Sequence, residues 1–307
     1  MYLYLPVALT SINILIPVGL GLAVGLLSGL FGVGGGFLLT PLLIMFGIPS
    51  TVAAATDSNQ IVAASTSGTY AHWKVGNVDF KMGLYLLVGG FVGGILGVQL
   101  IKLLHAMGNA DFVIKITYIL MLGIVGVYMF IESLQSMRKK KNTVEEAKEE
   151  KESAVGRFLK SLPLQTRFEK SGITHSIFVP IVLGAFVGIL AAIMGVGGGF
   201  LMVPIMVYML RMPMHVVVGT SLFQILFTCI EVTFLQAYTN HSVDFILAVL
   251  LLLGSTVGAQ IGASFGKKLK AEQLKILLAT IVLAVTVKIV FEITLTPSLL
   301  LSQVGGH

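Results

Sequence analysis

Charge is scarce in this sequence. Asp, Glu, Lys and Arg make up 11% of its 307 residues, against about 25% in soluble domains, and that shortfall excludes an ordinary water-soluble globule. Cysteine is scarcer still: Cys229 stands alone, so there is no internal disulfide and no redox framework. No basic residue precedes Lys74 and none follows Lys288. The first 31 residues also lack a basic n-region and an Ala-x-Ala site, so a cleaved signal peptide is not expected. The H-E-x-x-H pattern of metalloproteases is missing, as is any ATPase motif. No enzyme, cofactor or metal is expected, and an ion gradient is the energy source left for any transport.

What is present is apolar. The chain is 56% hydrophobic with mean hydropathy +0.95, and runs of about 20 apolar residues recur as spanning helices require. A polytopic all-α membrane protein follows. Its centre of organisation is Gly32-Val-Gly-Gly-Gly-Phe-Leu-Leu-Thr-Pro41, which returns as Gly195-Val-Gly-Gly-Gly-Phe-Leu-Met-Val-Pro204. Further matches keep nearly the same offset: Pro49 with Pro213, Thr56 with Thr220, Gln60 with Gln224, Val78-Asp-Phe80 with Val243-Asp-Phe245, and Gly89, Gly93, Gly97 with Gly254, Gly258, Gly262. This is an internal duplication. Adjacent glycines inside a helix cost roughly 1 kcal/mol each relative to Ala, so both blocks mark breaks. Interrupted helices at corresponding places in two halves point to a substrate site.

The expected organisation is membrane repeat 1 over 1–135, a charged cytoplasmic linker over 136–173, and membrane repeat 2 over 174–307. In half one, helices are expected over Ser11–Phe31, Phe37–Gly47, a stretch ending at Trp73, Gly83–Leu104 and Phe112–Ser133. The linker holds many basic residues and the acidic run Glu145–Glu152, and reads as solvated. If it is cytoplasmic, and each broken pair returns to the side it entered, then Lys74, Lys81, Arg211, Lys267, Lys268, Lys270 and Lys275 all fall inside, as basic residues prefer. Lys102 and Lys115 are the exceptions. That topology gives three full spans plus one broken hairpin per half, with the halves inverted and both termini outside. The net charge of +6 is thereby explained by topology, and no nucleic-acid partner is expected. The G-x-x-x-G faces at Gly89–Gly93 and Gly254–Gly258 suit close helix packing, expected between the repeats rather than between subunits; oligomeric state is not readable.

After each break a half-helix starts with unpaired N–H groups and the positive end of its dipole, which together favour an anion. The candidate shell is Gly34, Gly35, Gly36, Thr56, Asn59 and Gln60 from half one, with Gly197, Gly198, Gly199, Thr220, Ser221 and Gln224 from half two. Thr and Ser hydroxyls also commonly bond their own helix, so each hydroxyl has a purely local alternative. Acidic residues within spans are functional candidates. Asp57 and Glu231, with His72 beside them, are candidates for coupling transport to protons, since an aspartate next to an anion site opposes binding unless protonated. Asp79 and Asp244 are expected to cap helices. Gly32-x-Gly-x-x-Phe resembles the opening of a dinucleotide fingerprint but lacks the βαβ setting.

With both glycine blocks, the stretches AAATDSNQ and VVVGTSLFQ, and His72-Trp-Lys-Val-Gly-Asn-Val-Asp79 with its Val243-Asp244 counterpart, the chain resembles the TauE/SafE sulfite exporter family over both halves. The resemblance implies a membrane transporter for small sulfur-containing anions such as sulfite or sulfonates, with the lipid bilayer as its setting. His72 has no repeat counterpart, since Gln236 and Ala237 stand nearest. Three functions remain open on sequence: a secondary anion transporter of the cytoplasmic membrane, an anion channel-like conduit, and a membrane enzyme or maturation factor without net flux.

Overall fold

The computed structural model describes residues 2–31, 36–139, 163–266 and 271–295. Each half opens on an antiparallel two-stranded hairpin: β1 (Tyr2–Leu5) with β2 (Thr10–Asn13), and β3 (Gln165–Phe168) with β4 (Ile173–Ser176). Half one continues as α1 (Leu15–Phe31), α2 (Gly36–Met45), α3 (Ser50–Lys74), α4 (Phe80–Ala106) and α5 (Ala110–Lys139). Half two repeats this as α6 (Phe178–Met194), α7 (Gly199–Pro204), α8 (Met214–Leu235), α9 (Phe245–Gly266) and α10 (Ala271–Leu295). Helix α7 runs into a π turn, Ile205–Met209, and α8 ends in another, Gln236–Asn240. Among the described residues three segments, Phe80–Ala106, Ala110–Tyr128 and Met214–Asn240, are long and apolar enough to cross a membrane on their own. Helix α3, at 25 residues, is about 37 Å long and buries its polar residues Thr56, Asp57 and Ser58 inward.

The hairpins amend the sequence reading in two places. Residues Ser11–Asn13, expected as helix, are strand, and 165–173, expected as the end of the linker, form most of the second hairpin. Four-residue strands are too short for alternation to register as a pattern. Each is anchored by one plug, since Leu5 and Phe168 are fully buried. The rest of the linker, from 140 to 162, lies outside the described residues.

Glycine spacing determines how the halves interlock. Helix α1 packs on α9, and α4 packs on α6. A β-carbon at Gly25 would lie 2.6 Å from Ser255 Cα, one at Gly254 2.8 Å from Leu22 N, and one at Gly258 2.8 Å from Leu26 N. Numbers rise together, so α1 and α9 are parallel. The other pair is the mirror case: a β-carbon at Gly89 would lie 2.8 Å from Ala185 N, and one at Gly97 3.1 Å from Ile189 Cα. Each half thus packs its first helix against the fourth helix of the other. Helices α3 and α8, which occupy equivalent places, cross with numbers running oppositely: Gly68 meets Leu222 while Gly219 meets His72. Equivalent helices that are antiparallel are what inverted repeats produce.

The two ends are tied by the same device used twice. Asp79 caps α4 through Met82 N (3.0 Å), and Asp244 caps α9 through Leu247 N (3.1 Å), as expected. Asp79 also accepts from Ser171 N (3.1 Å) and Ser171 Oγ (2.5 Å), while Asp244 accepts from Val7 N (3.1 Å). Each aspartate therefore holds the hairpin of the opposite half, and the two hairpins lie on opposite faces.

Candidate functional site

Break two is described in full. Gly195 closes α6 with φ +71°, and Gly197 and Gly198 follow at +68° and +75°, a left-handed run that side-chain-bearing residues adopt only at a cost. Close approach is demanded as well. A β-carbon at Gly195 would lie 2.5 Å from Ala54 Cα, and one at Gly197 would lie 2.8 Å from Ile225 Cγ2. The small run Ala53–Ala55, all buried, lets the break settle on α3, and Ser58 Oγ donates to Gly195 O (3.2 Å). Of break one, Gly34 and Gly35 lie outside the described residues. Gly36 is buried and opens α2, and a β-carbon there would lie 2.8 Å from Ile61 Cγ1.

The start of α2 and break two meet. Ile61 borders Gly36, and a β-carbon at Gly197 would also lie 3.4 Å from its Cγ2. One residue beyond each glycine block start of α2 and α7, Phe37 and Phe200 stack with centroids 4.6 Å apart and planes at 15°. Ile61, Ile225 and Cys229 form a small apolar cluster between α3 and α8. Beside break two, a cavity of about 10 Å³ lined by Met194, Val196, Gly198 and Phe200 has room for about one water.

The expected polar shell divides into levels. Gln60 and Gln224 flank Ile61 and Ile225 in sequence, are buried at 3% and 0% exposure, and each keeps its Oε1 without a partner. Gln224 Nε2 donates to Thr228 Oγ1 (3.0 Å). Thr56 and Thr220 sit farther out, on opposite sides: Thr56 Oγ1 accepts from Asp244 N (3.1 Å), and Thr220 Oγ1 from Asp79 N (3.0 Å). Ser221 Oγ turns back to Val218 O (3.0 Å), the local alternative for a helical serine. Asn59 is partly buried on α3 and Gly199 opens α7.

Asp57 is fully buried and its Oδ2 accepts from Thr40 N (3.2 Å) and Thr40 Oγ1 (2.7 Å), leaving Oδ1 unpartnered. That carboxylate ties α2 to α3. Tyr118 of α5 donates to Met194 O at the end of α6, so half-one side chains grip both breaks. His72 lies beside Gly219, at the far end of α3, with Nδ1 unpartnered. Glu231 lies toward the opposite end of α8, against Gly94. Thr40, Tyr118 and Thr228 escape the sequence reading because none recurs in the other half. The Phe37–Phe200 pair does recur, inside the glycine block itself, and that signal was available. Among the described residues no group of three His, Cys, Asp or Glu is placed to hold a metal.

Comparison with known proteins accords with this architecture. The family model for the sulfite exporter TauE/SafE matches residues 18–289, which takes in both breaks and both repeats. The chain belongs to the TauE/SafE family. The probable membrane transporter protein YjnA of Bacillus subtilis (strain 168) is 27% identical over 272 residues, covering 88% of this chain and 97% of that protein. The probable membrane transporter protein YunE of the same organism is 25% identical over 292 residues, covering 91% and 98%. A shorter match, 31% identical over 103 residues, reaches sulfite exporter TauE/SafE family protein 1 of Arabidopsis thaliana, covering 33% of this chain and 23% of that one. No solved structure matches significantly. A TauE/SafE membership with multi-pass inverted halves makes the protein an integral membrane transporter by family.

Proposed function

We propose that this TauE/SafE protein is a secondary transporter that carries small sulfur-containing anions, such as sulfite or sulfonates, across the cytoplasmic membrane. The observation that carries the reading is the meeting of the start of α2, at Gly36, with break two, at Gly197, on Ile61, with Phe37 stacked on Phe200. Both half-helices start at that point, so their free N–H groups and dipoles bear on one spot. In this reading Gly34, Gly35, Gly36, Gly197, Gly198 and Gly199 bring backbone amides to the anion, and Gln60 and Gln224 complete its shell. Thr56, Asn59, Thr220 and Ser221 lie along the route to it. The stacked phenylalanines fill the space between the half-helices, so they separate when the anion enters. Neutral donors suit an oxyanion without the desolvation cost of burying Lys or Arg. In this reading the linker and the sequence segments holding Lys74, Arg211 and Lys267–Lys270 are cytoplasmic, and both termini are outside.

Flux into proteoliposomes across a panel of sulfite, an alkanesulfonate, thiosulfate and sulfate tests the reading. At least one anion should accumulate against its gradient; flux that never exceeds equilibration would make the protein a conduit. Gln60→Ala and Gln224→Ala should weaken binding at any salt concentration, each losing a hydrogen bond to a charged ligand worth roughly 1.5–3 kcal/mol, or about ten- to a hundred-fold. Lys74, whose Nζ rests 4.5 Å from the Tyr70 ring, acts at the mouth, so Lys74→Ala should matter only at low salt. Loss of binding in Lys74→Ala at every salt concentration, with both Gln variants normal, would overturn the backbone-amide pocket.

A further inference from the structure

We propose that Glu231, in half two only, is where this protein binds the proton that drives transport, with Thr228 and Gln224 linking it to the anion site. This rests on the transport reading above and names its coupling residue.

Gln224, Thr228 and Glu231 follow one another at helical spacing and share one stripe of α8. Opposite them α4 presents glycine. A β-carbon at Gly90 would lie 2.9 Å from Thr228 Oγ1 and 3.1 Å from Gln224 Nε2, and one at Gly94 would lie 2.8 Å from Glu231 Oε2. The polar stripe thus occupies the slot left by missing side chains on α4. Gln224 and Thr228 are fully buried, and Gln224 Oε1 has no partner. Both carboxylate oxygens of Glu231 are shielded from solvent and have no partner either.

That last feature separates Glu231 from the other acidic groups of the interior. Asp79 and Asp244 each accept at least two hydrogen bonds, and Asp57 is held by Thr40. A carboxylate kept for structure acquires donors, because an unpaired buried charge is costly. A group that must gain and lose a proton is served by none.

Among the described residues, the other titratable groups on the elements around α8 lie at other levels or are engaged elsewhere. Helix α3 contributes Asp57, engaged by Thr40, and, at its other end, Tyr70 under Lys74 and His72 beside Gly219 of α8. Asp79 and Lys81 stand at the start of α4, and Lys102 and His105 at its end. On α8 itself His215 is in the first turn, while Cys229 faces Gly197. Tyr238 of the following π turn stacks on Phe234, and Tyr208 belongs to the π turn after α7. Helices α6 and α7 carry no titratable side chain. A sodium ion is a poorer fit than a proton, because cation sites in such folds draw on unwound backbone carbonyls and α8 is unbroken helix from Met214 to Leu235.

Half one has nothing comparable. The repeat counterparts of Thr228 and Glu231 are Ala64 and Ser67, and those of Gly90 and Gly94 are Ser255 and Ala259. The anion-facing glycines and glutamines are duplicated; the proton-binding stripe is not.

The test uses full-length protein in proteoliposomes, with the same four-anion panel, in two modes: exchange of labelled for unlabelled anion with no gradients, and accumulation driven by an imposed pH difference of about one unit. Wild type should do both, accumulating up to about ten-fold for one proton per anion. Glu231→Gln should retain exchange within about two-fold while accumulation falls to equilibration. Glu231→Asp, which keeps the carboxylate, should recover accumulation. Absence of flux for every anion in wild type would sink the transport reading and this proposal together. Wild-type flux with an undiminished pH response in Glu231→Gln would overturn the proposal alone. So would loss of exchange in both Glu231 variants, which would make the residue structural.

Discussion

Glycine does two separable jobs in this fold, and a series of three Gly→Ala changes isolates them. At Gly19, in α1, an added β-carbon meets nothing within 4 Å. Gly19→Ala should therefore gain up to about 1 kcal/mol from helix propensity. At Gly93, in α4, the β-carbon would come within 2.8 Å of the Ala185 carbonyl carbon and 2.9 Å of its Cα. Those atoms are backbone and cannot rotate away, so α4 and α6 must part. Overpacking of this kind costs about 1–3 kcal/mol, and the propensity gain offsets about 1 kcal/mol of it. At Gly195 the same close approach, to Ala54, is joined by φ +71°, which costs a further ~1–2 kcal/mol for a residue with a β-carbon and brings no helical gain. The expected order of stability is Gly19→Ala above wild type, then Gly93→Ala, then Gly195→Ala lowest by about 2–5 kcal/mol. Denaturant titration in mixed micelles, read by fluorescence of Trp73, the chain's single tryptophan, gives the order directly. Trp73 packs edge-on against Phe80 at 6.4 Å and so reports on the α3–α4 corner. If Gly93→Ala proves as stable as Gly19→Ala, the parallel α4–α6 contact is wrong.

Two further outcomes can be checked with less effort. Asp79→Ala removes the α4 cap and the acceptor for Ser171, a loss of about 1 kcal/mol for the cap plus roughly 1.5–3 kcal/mol for each charged hydrogen bond; limited proteolysis at Arg167 or Lys170 should speed up, and unchanged cleavage would refute the tie between α4 and the second hairpin. Reporter fusions after Gly306 and within Glu145–Glu152 should give opposite signals, and a cytoplasmic signal at Gly306 would defeat the odd-crossing topology.

Much of this architecture was legible because duplication writes itself into the sequence as a constant offset. The two breaks, the cap aspartates and the small faces at Gly89–Gly93 and Gly254–Gly258 all recur, and break two, both aspartates and both small faces do in the structure what their chemistry suggests. The pairing of those faces was not legible. A G-x-x-x-G face announces that something packs closely but not which helix, and the exchange of α1 and α6 between halves has no local signature. The threonines show a second limit. Thr56 and Thr220 recur as faithfully as the glutamines, yet their hydroxyls meet Asp244 N and Asp79 N at opposite ends of the α3–α8 pair. Equal offset marks equal role in the two halves but does not say that the two copies share one pocket. Contacts such as Thr40 with Asp57, or Tyr118 with Met194, join positions with no periodic relation and leave no trace in a single sequence.

The residues that break the repeat carry an energetic consequence. In an inverted-repeat transporter the two halves can exchange conformations, and two identical halves would make the inward- and outward-open states equal in energy. Here they are not identical at the hinge points. Asp57 ties α2 to α3 through two hydrogen bonds from Thr40, whereas the counterpart positions hold Val203 and Ser221, and Ser221 bonds only its own helix. Tyr118 grips the end of α6, and its counterpart is Leu283. Half one thus supplies the side chains that hold both α2 and the end of α6, while α7 is a six-residue helix that passes at once into a π turn, a form common at functional sites. A hydrogen bond is worth roughly 0.5–1.5 kcal/mol net, so one that survives in a single state biases the two populations by about two- to ten-fold. A ligand or proton that loosens or replaces that tie has a differential affinity for the two states, which is the condition for it to drive the exchange.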